Sequence, residues 1–271
     1  MSFPEIAFQW VGGATFILSI GDFKIACDPV LCPKGTTQTY LGMFKSTRLE
    51  EPVYQGEDFQ DIGLWLITHS HEDHLDEKGI AVISKSSRII ADKKSSAILE
   101  NHGFENQTVL AWHENTSLNL HPDIEITVEA VPAIHGVNPA TALLAGKVSG
   151  YYLTIKKESQ EAHIYITSDT VYKKKVINAL KGRPIDIMIP NIGAATLMRP
   201  AGILTMNSRM LQRFMDELQP ALVVPVHFGT FQHYLEPVSE VRKLNRKNIQ
   251  IPTPGAGWKI EPAVHNVLSG S

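Results

Sequence analysis

The chain of 271 residues has a formal net charge of −3, with 43% hydrophobic and 20% charged residues. This composition is ordinary for a globular protein and excludes a disordered, collagen-like or low-complexity chain. The near-neutral charge gives no electrostatic signature of nucleic-acid binding, and no apolar run approaches the roughly 20 residues that a membrane-spanning helix needs. The N-terminus lacks the pattern of a signal peptide, and the two cysteines, Cys27 and Cys32, make no disulfide framework. We therefore expect a cytoplasmic protein without a membrane span.

The first third of the chain is rich in predicted strands. Apolar runs separated by Gly12-Gly13 and Gly21-Asp22 predict antiparallel hairpins. Residues 29–60 lack a clear period and predict a long loop, and loops of this length are usually functional. In chain order, the predicted elements up to residue 101 are strands 7–11, 15–20, 23–27 and 63–68, a helix over 76–84, a strand over 87–91 and a helix over 93–101.

Strands and helices alternate in the second half of the chain. Apolar residues at helical spacing predict a helix over residues 207–218, with Asn207 as its N-cap. The other predicted elements are strands 124–131, 150–155, 163–167, 186–189 and 222–226 and a helix over 173–180. Such a pattern favours sheets covered by helices, so we expect an α+β protein. No linker or repeat is visible, and we predict a single domain over residues 1–271.

The segment from His69 to His74 carries the strongest chemical signal. It reads His-x-His-x-Asp-His and directly follows a predicted buried strand, so a loop presents it at the edge of a sheet. Imidazole and carboxylate groups are ligands of zinc and also suit manganese and iron. Residues two apart in an extended segment point the same way, so His69 and His71 can reach one ion. Asp73 and His74 point elsewhere and can serve a second ion.

Three further candidate ligands each follow a predicted strand. They are His135, Asp169 and His227. Taken alone, each has a structural alternative, because a lone histidine is often a hydrogen-bonded core residue and an aspartate before a helix often caps it. Binding residues collect at strand ends and loops on a rigid scaffold, so the three positions are also compatible with a metal site.

Together these segments resemble the metallo-β-lactamase superfamily of binuclear metallohydrolases. The matching pieces cover essentially the whole chain in order: Trp10-Val11-Gly12, Asp28-Pro29, the segment from His69 to Asp76, His135, Ser168-Asp169-Thr170 and Val226-His227-Phe228-Gly229. Within the superfamily the chain is most similar to the L-ascorbate-6-phosphate lactonase-like group, through Asn191-Ile192-Gly193-Ala194, Thr205-Met206 and residues 225–231. The resemblance implies a four-layer αββα sandwich with two metals between the sheet edges.

The resemblance also implies a ligand set with two groups and a bridge. The first ion would be held by His69, His71 and His135. The second ion would be held by Asp73, His74 and His227. Asp169 would bridge both ions, Asp28 would orient the histidine loop, and we assign the catalytic role to Asp73 and His227. Two divalent ions are thus expected, with zinc favoured and manganese or iron as alternatives.

The implied activity is hydrolysis of an ester, lactone or phosphate ester of a small molecule by a metal-bound hydroxide. The alternatives are a phosphodiesterase acting on phospholipid or nucleic acid, and a metal-binding module without turnover. Two departures from the family pattern bear on the substrate. Gly13 stands where many members have a histidine, and neither cysteine lies where the best-known β-lactamases have one near the second metal, so antibiotic hydrolysis is not expected.

Other residues keep two interpretations. His233 follows His227 on the same predicted loop and either takes part in the chemistry or is an ordinary histidine. Arg199 is either an anion anchor in the apolar stretch 192–204 or a surface residue. Apolar residues within 38–59 form a lid, an oligomer contact or plain packing. The second of these alternatives would make the protein a homo-oligomer.

Overall fold

The computed structural model describes residues 2–40, 42–196 and 202–266, so Arg199 lies outside the described residues. Its N-terminal part contains, in chain order, β1 (Ile6–Gly12), β2 (Thr15–Ile20), β3 (Phe23–Cys27), β4 (Thr37–Tyr40), β5 (Phe44–Thr47), β6 (Ile62–Ile67), α1 (Glu77–Ile80), β7 (Arg88–Ala91), α2 (Lys93–Asn101) and β8 (Gln107–Val109). Its C-terminal part contains β9 (Asn115–His121), β10 (Ile124–Ala133), α3 (Pro139–Ala145), β11 (Val148–Lys157), β12 (Gln160–Ile166), α4 (Lys174–Leu180), β13 (Ile187–Ile189), α5 (Ser208–Leu218), β14 (Leu222–Val223), α6 (Ser239–Arg242), β15 (Gly257–Ile260) and β16 (His265–Asn266).

Across the described ranges, the strands form two large sheets and one separate hairpin. The first sheet has the order β15-β1-β2-β3-β6-β7-β8, and the second has the order β14-β13-β12-β11-β10-β9, with β16 paired to β12. Strands β4 and β5 form the hairpin. Each large sheet has a parallel side, made of β3, β6, β7 and β8 in the first and of β12, β13 and β14 in the second. The carboxyl ends of parallel strands meet at one edge, and loops at such edges carry binding residues.

The apolar core lies between the two sheets. Its members from the sheets include Phe8, Leu18, Ile126, Leu153 and Ile164. Helices α4 and α5 pack on the second sheet, and α1 and α2 pack on the first through a separate apolar cluster. Strand β6 is buried on both faces, because Leu64 and Leu66 face the central core while Trp65 and Ile67 face the helices. This helix–sheet–sheet–helix order confirms the predicted α+β sandwich.

Several predicted elements agree with the structure, and others end early. The bounds of β2, β3 and α2 are those predicted, and Asn207 caps α5 by accepting a hydrogen bond from the N–H of Met210 at 2.9 Å. The helix predicted over 76–84 is wrong in length, since α1 covers only Glu77–Ile80. Asp76 instead caps this short helix and accepts hydrogen bonds from the backbone N–H groups of Leu31 and Cys32.

The long loop predicted over residues 29–60 contains the β4–β5 hairpin. Strand β4 alternates exposed and partly buried polar residues before the buried Tyr40, so its pattern lacks the apolar alternation that signals a strand. Tyr40 packs inside the protein, whereas Met43 in the turn is 69% exposed. The lid and oligomer interpretations of this region stay predictions. Within the described part of the chain, no helix combines the length and apolar character needed to cross a membrane.

Gly79 allows α1 to lie against the loop that follows β3. A Cβ atom on Gly79 would lie 2.0 Å from the carbonyl oxygen of Pro29. We expect Gly79→Ala to destabilise the protein by about 1–3 kcal/mol, because overpacking outweighs the better helix propensity of alanine. Urea unfolding measures this loss. Gly56→Ala is the control, since a Cβ atom there meets nothing within 4 Å, and equal stability of the two variants would contradict the prediction.

Candidate metal centre

The structure brings all seven predicted metal ligands together in two adjacent groups. The ligand atoms within each group all lie within 4.8 Å of one another. The first group consists of His69, His71 and His135. The second group consists of Asp73, His74, Asp169 and His227.

The residues of the two groups lie on loops at the strand ends of both sheets. The histidine loop follows β6 of the first sheet, and the other three residues follow β10, β12 and β14 of the second. His227 has a left-handed backbone with φ of 64°, and its N–H donates to the carbonyl oxygen of Gly13 at 2.9 Å. The indole N–H of Trp10 donates to the same oxygen at 3.0 Å. A turn of the first sheet therefore positions a residue that belongs to the second.

The imidazole nitrogens of the first group have the spacing of metal ligands. The Nδ1 atom of His71 lies 3.0 Å from Nε2 of His69 and 3.3 Å from Nε2 of His135. A tetrahedral zinc ion with zinc–nitrogen distances of about 2.0–2.1 Å separates its nitrogen ligands by about 3.4 Å. The three histidines thus form one face of a site of this size.

Asp169 connects the two groups through its two carboxylate oxygens. Its Oδ1 atom lies 3.2 Å from Nε2 of His74 and 3.4 Å from Nε2 of His227, and its Oδ2 atom lies 3.6 Å from Nε2 of His135. The side-chain amide of Asn191 donates to Oδ1 at 2.8 Å and holds the carboxylate in place. The alternative role as a helix cap is wrong, because α4 begins after Lys173.

Hydrogen bonds to protein oxygens assign the tautomers of three histidines. The Nδ1 atoms of His74, His135 and His227 face Oδ2 of Asp28 (2.7 Å), the carbonyl oxygen of Leu204 (2.9 Å) and that of Ile192 (3.3 Å), respectively. These oxygens can only accept, so each Nδ1 carries a proton and each Nε2 is the ring atom left to face a cation. The Nε2 atoms converge between the sheets, where a cation would find them.

Asp28 holds the histidine loop from behind, as predicted. Its carboxylate accepts three hydrogen bonds of 2.7 Å, from the backbone N–H of Thr68, the hydroxyl of Thr68 and Nδ1 of His74. Asp28 itself has a left-handed φ of 44°, a conformation in which aspartate and asparagine are enriched. The hydroxyl of Thr68 donates to Asp28 and therefore accepts from Nδ1 of His69 at 3.0 Å, which also leaves Nε2 of His69 free.

Three carboxylates of the centre are buried without a lysine or arginine partner. Asp28, Asp73 and Asp169 are each no more than 3% exposed, and among the described residues their ion pairs are all with histidines. Burial opposes the charged forms of Asp73 and Asp169, but the neighbouring histidines outweigh it and hold the pKa of both carboxyl groups well below the ordinary value. Both groups are therefore ionised.

The histidines show two opposite pKa shifts. Burial lowers the pKa of His69 and His135, and lowers that of His71 to about 3, so these imidazoles are neutral. Burial acts in the same sense on His74, but the carboxylates of Asp169 and Asp28 outweigh it and raise the pKa of His74 well above its ordinary value. The neutral imidazoles of His69, His71 and His135 and the ionised carboxylates are the donor forms that divalent metals require. Binding of a cation at His74 would release its second proton, so the residues present fit a metal centre.

Sequence analysis missed two residues beside the second group. The Tyr234 hydroxyl lies 3.0 Å from Oδ2 of Asp73 and 2.7 Å from Nε2 of His227. The Ser46 hydroxyl lies 2.7 Å from Nδ1 of His233, whose Nε2 lies 3.1 Å from Oδ2 of Asp73. His233 thus contacts a predicted metal ligand, and its part in the chemistry stays a prediction. No pattern in the sequence marks Ser46 or Tyr234.

A sandwich of two mixed sheets with histidines and aspartates gathered between them defines a class of metal-dependent hydrolases. The chain belongs to the metallo-β-lactamase superfamily, since the family model of the beta-lactamase superfamily domain matches residues 24–228. It is a metal-dependent hydrolase of this superfamily. The finer resemblance to the L-ascorbate-6-phosphate lactonase-like group stays a prediction.

Curated relatives and solved structures match nearly the whole chain. The chain is 25% identical over 258 residues to a UPF0173 metal-dependent hydrolase of Pyrococcus horikoshii, covering 94% of this chain and 100% of the relative. It is 21% identical to the UPF0173 protein YddR of Bacillus subtilis, covering 92% and 97%. A possible metal-dependent hydrolase from Veillonella parvula has the same fold, with a TM-score of 0.77 at 23% identity over 96% of this chain and 100% of that one. An isothiocyanate hydrolase from Delia radicum gut bacteria also has a TM-score of 0.77, at 23% identity over 94% and 99%.

The contacts of Asp28 predict a loss of metal affinity in Asp28→Asn. Asparagine tolerates the left-handed backbone but replaces one acceptor oxygen by an amide that faces the donors of Thr68 or His74. We expect about 10–100-fold weaker zinc binding, the usual cost of losing such a supporting contact. Competition with a chromogenic chelator measures the affinity. Asp92→Asn is the control, because asparagine also caps α2 there; equal affinities of the two variants would sink the prediction.

Proposed function

We propose that the protein binds two divalent ions and hydrolyses an ester, lactone or phosphate ester of a small molecule. One observation carries the proposal: the two oxygens of Asp169 face different ligand groups. In this proposal the first ion is held by His69, His71 and His135. The second ion is held by Asp73, His74 and His227. Asp169 bridges the two ions.

Zinc is the metal that we propose. The two groups contain five imidazoles and two carboxylates, and zinc accepts both ligand types in small, nitrogen-rich sites. Manganese and iron accept the same ligands and are the alternatives. Divalent ions held by these residues would supply Lewis acidity toward a carbonyl or phosphoryl oxygen and would lower the pKa of water.

The residues of the chain prepare the centre for this chemistry. Hydrogen bonds to Asp28, Leu204 and Ile192 hold three of the five imidazoles, those of His74, His135 and His227, in fixed orientations. Ligands that are already oriented need not reorganise during the reaction, which is the main electrostatic advantage of an enzyme site. We assign Asp73 and His227 to the reacting side of the centre, and no side-chain nucleophile is required.

The substrate class that we propose is a small anionic lactone or phosphate ester. The support is the resemblance of residues 191–194, 205–206 and 225–231 to the lactonase-like group. In the structure two of these segments pair, with a bridge between Asn191 and Val226. Both segments also contact the second ligand group, through Asn191 and His227.

A substrate panel tests the proposed activity. The zinc-loaded and manganese-loaded protein would be assayed against lactones, aryl esters, phosphate monoesters and phosphodiesters, with an aryl isothiocyanate included because a protein of this fold is described as an isothiocyanate hydrolase. We expect turnover of a lactone, ester or phosphate monoester that chelation abolishes and metal restores. His69→Ala should lose it, while His163→Ala, which lies outside both groups, should keep it.

Two outcomes would contradict the proposed activity. Cleavage of phosphodiesters alone would favour the phosphodiesterase alternative. Metal binding without hydrolysis of any member of the panel would favour a metal-binding module that performs no turnover.

A further inference from the structure

Residues outside both ligand groups hydrogen-bond to the carboxylate of Asp73. They are His233 and Tyr234, and Ser46 of the β4–β5 hairpin contacts His233 in turn. We propose that Ser46, His233 and Tyr234 form a positioning unit that fixes the carboxylate of Asp73 and thereby sets the affinity of the second ion. This inference rests on the two-ion function proposed above. The three residues are positioning residues, because they act through Asp73 rather than on the substrate.

Two donors converge on one oxygen of Asp73. Its Oδ2 atom lies 3.1 Å from Nε2 of His233 and 3.0 Å from the hydroxyl of Tyr234. All three side chains are buried, with Asp73 3% exposed and His233 and Tyr234 both 7% exposed. Two hydrogen bonds to the same carboxylate oxygen prevent rotation of the group about its Cβ–Cγ bond. They therefore decide which oxygen lone pairs face the second ion.

Ser46 orients His233 in the same chain of contacts. Its hydroxyl lies 2.7 Å from Nδ1 of His233 and is 1% exposed. Since the carboxylate of Asp73 can only accept, Nε2 of His233 carries a proton, and Nδ1 pairs with the hydroxyl of Ser46. Removing the hydroxyl of Ser46 would leave Nδ1 of His233 without its hydrogen-bond partner in a buried position.

The hairpin supports the centre from two sides. Ser46 on β5 contacts His233, while Gln38 on β4 donates its side-chain amide to the carbonyl oxygen of Glu72 at 2.6 Å. Glu72 directly precedes Asp73, so the hairpin holds the backbone beside this ligand directly and contacts its side chain only through His233. The ring of Tyr40 packs against His233 with centroids 5.0 Å apart. The hairpin is thus part of the construction of the second metal position.

Tyr234 links this unit to a second ligand. Its hydroxyl oxygen also lies 2.7 Å from Nε2 of His227, whose own Nδ1 faces the carbonyl oxygen of Ile192. The hydroxyl has one proton, which either Nε2 of His227 or Oδ2 of Asp73 can accept. A cation that takes the lone pair of His227 would leave that proton to Asp73. The first group has no contact of this kind with the unit, so the effect should be confined to the second ion.

The test compares single-hydroxyl deletions with matched controls. Tyr234→Phe and Ser46→Ala each remove one hydroxyl of the unit. Tyr152→Phe removes a hydroxyl that donates to the carbonyl oxygen of Pro184, and neither residue belongs to a ligand group. Thr39→Ala alters an exposed residue of the same hairpin. Stepwise zinc affinities come from chelator competition, and the visible spectrum of the cobalt-loaded protein reports the coordination of each ion. Thermal unfolding of each variant separates a change at the metal from a general loss of stability.

We expect the wild type to bind two ions per chain. Both control variants should bind two ions with the same two affinities as the wild type. In Tyr234→Phe and Ser46→Ala, one of the two affinities should fall about 10–100-fold, the other should stay unchanged, and the cobalt spectrum should shift. Two unchanged affinities with a wild-type spectrum in both variants would overturn the positioning unit while leaving the two-ion function intact. Fewer than two ions in the wild type would instead overturn the proposed function, and this inference with it.

Discussion

Three carboxylates buried among histidines are the constraint on which the centre depends. Asp28, Asp73 and Asp169 are almost fully buried, and in the described ranges none is paired with lysine or arginine. Burying one ionised carboxylate costs several kcal/mol even after the protein relaxes, so the charge must be compensated locally. Histidines that burial keeps neutral cannot supply that charge alone. Divalent cations can, and the Nε2 atoms that the fold directs inward are suitable ligands for them.

The sandwich fold supplies this arrangement by joining loops of two sheets. The histidine loop comes from the first sheet, and His135, Asp169 and His227 come from the second. Such loops need unusual backbone conformations, and left-handed φ values occur at Asp28, Ser168 and His227. Each such position costs on the order of 1–3 kcal/mol and persists only where surrounding contacts enforce it. The hydrogen bonds of Asp28 to the histidine loop and of Gly13 to His227 are contacts of this kind.

The local part of the centre was readable from sequence, and the long-range part was not. His69 to His74 lie within six residues, so their spacing alone indicated a metal site. His135, Asp169 and His227 became candidates mainly through the family resemblance, because only the fold brings them near. The β4–β5 hairpin was missed since its alternation is polar, and Ser46 and Tyr234 have no local pattern at all. The sequence also left open whether Asp169 caps a helix or belongs to a ligand group. The structure decides this, because α4 begins only after Lys173.

Metal analysis of wild type beside Asp169→Asn tests whether the carboxylate of Asp169 holds two ions. Asparagine keeps the volume of Asp169 but removes the negative charge that would hold both ions. Asp186→Asn is the control, because Asp186 is an equally buried aspartate of the second sheet that belongs to neither ligand group. We predict two ions per chain in wild type and Asp186→Asn, and a marked loss in Asp169→Asn. One ion or none in wild type, unchanged in Asp169→Asn, would overturn the bridging role of Asp169.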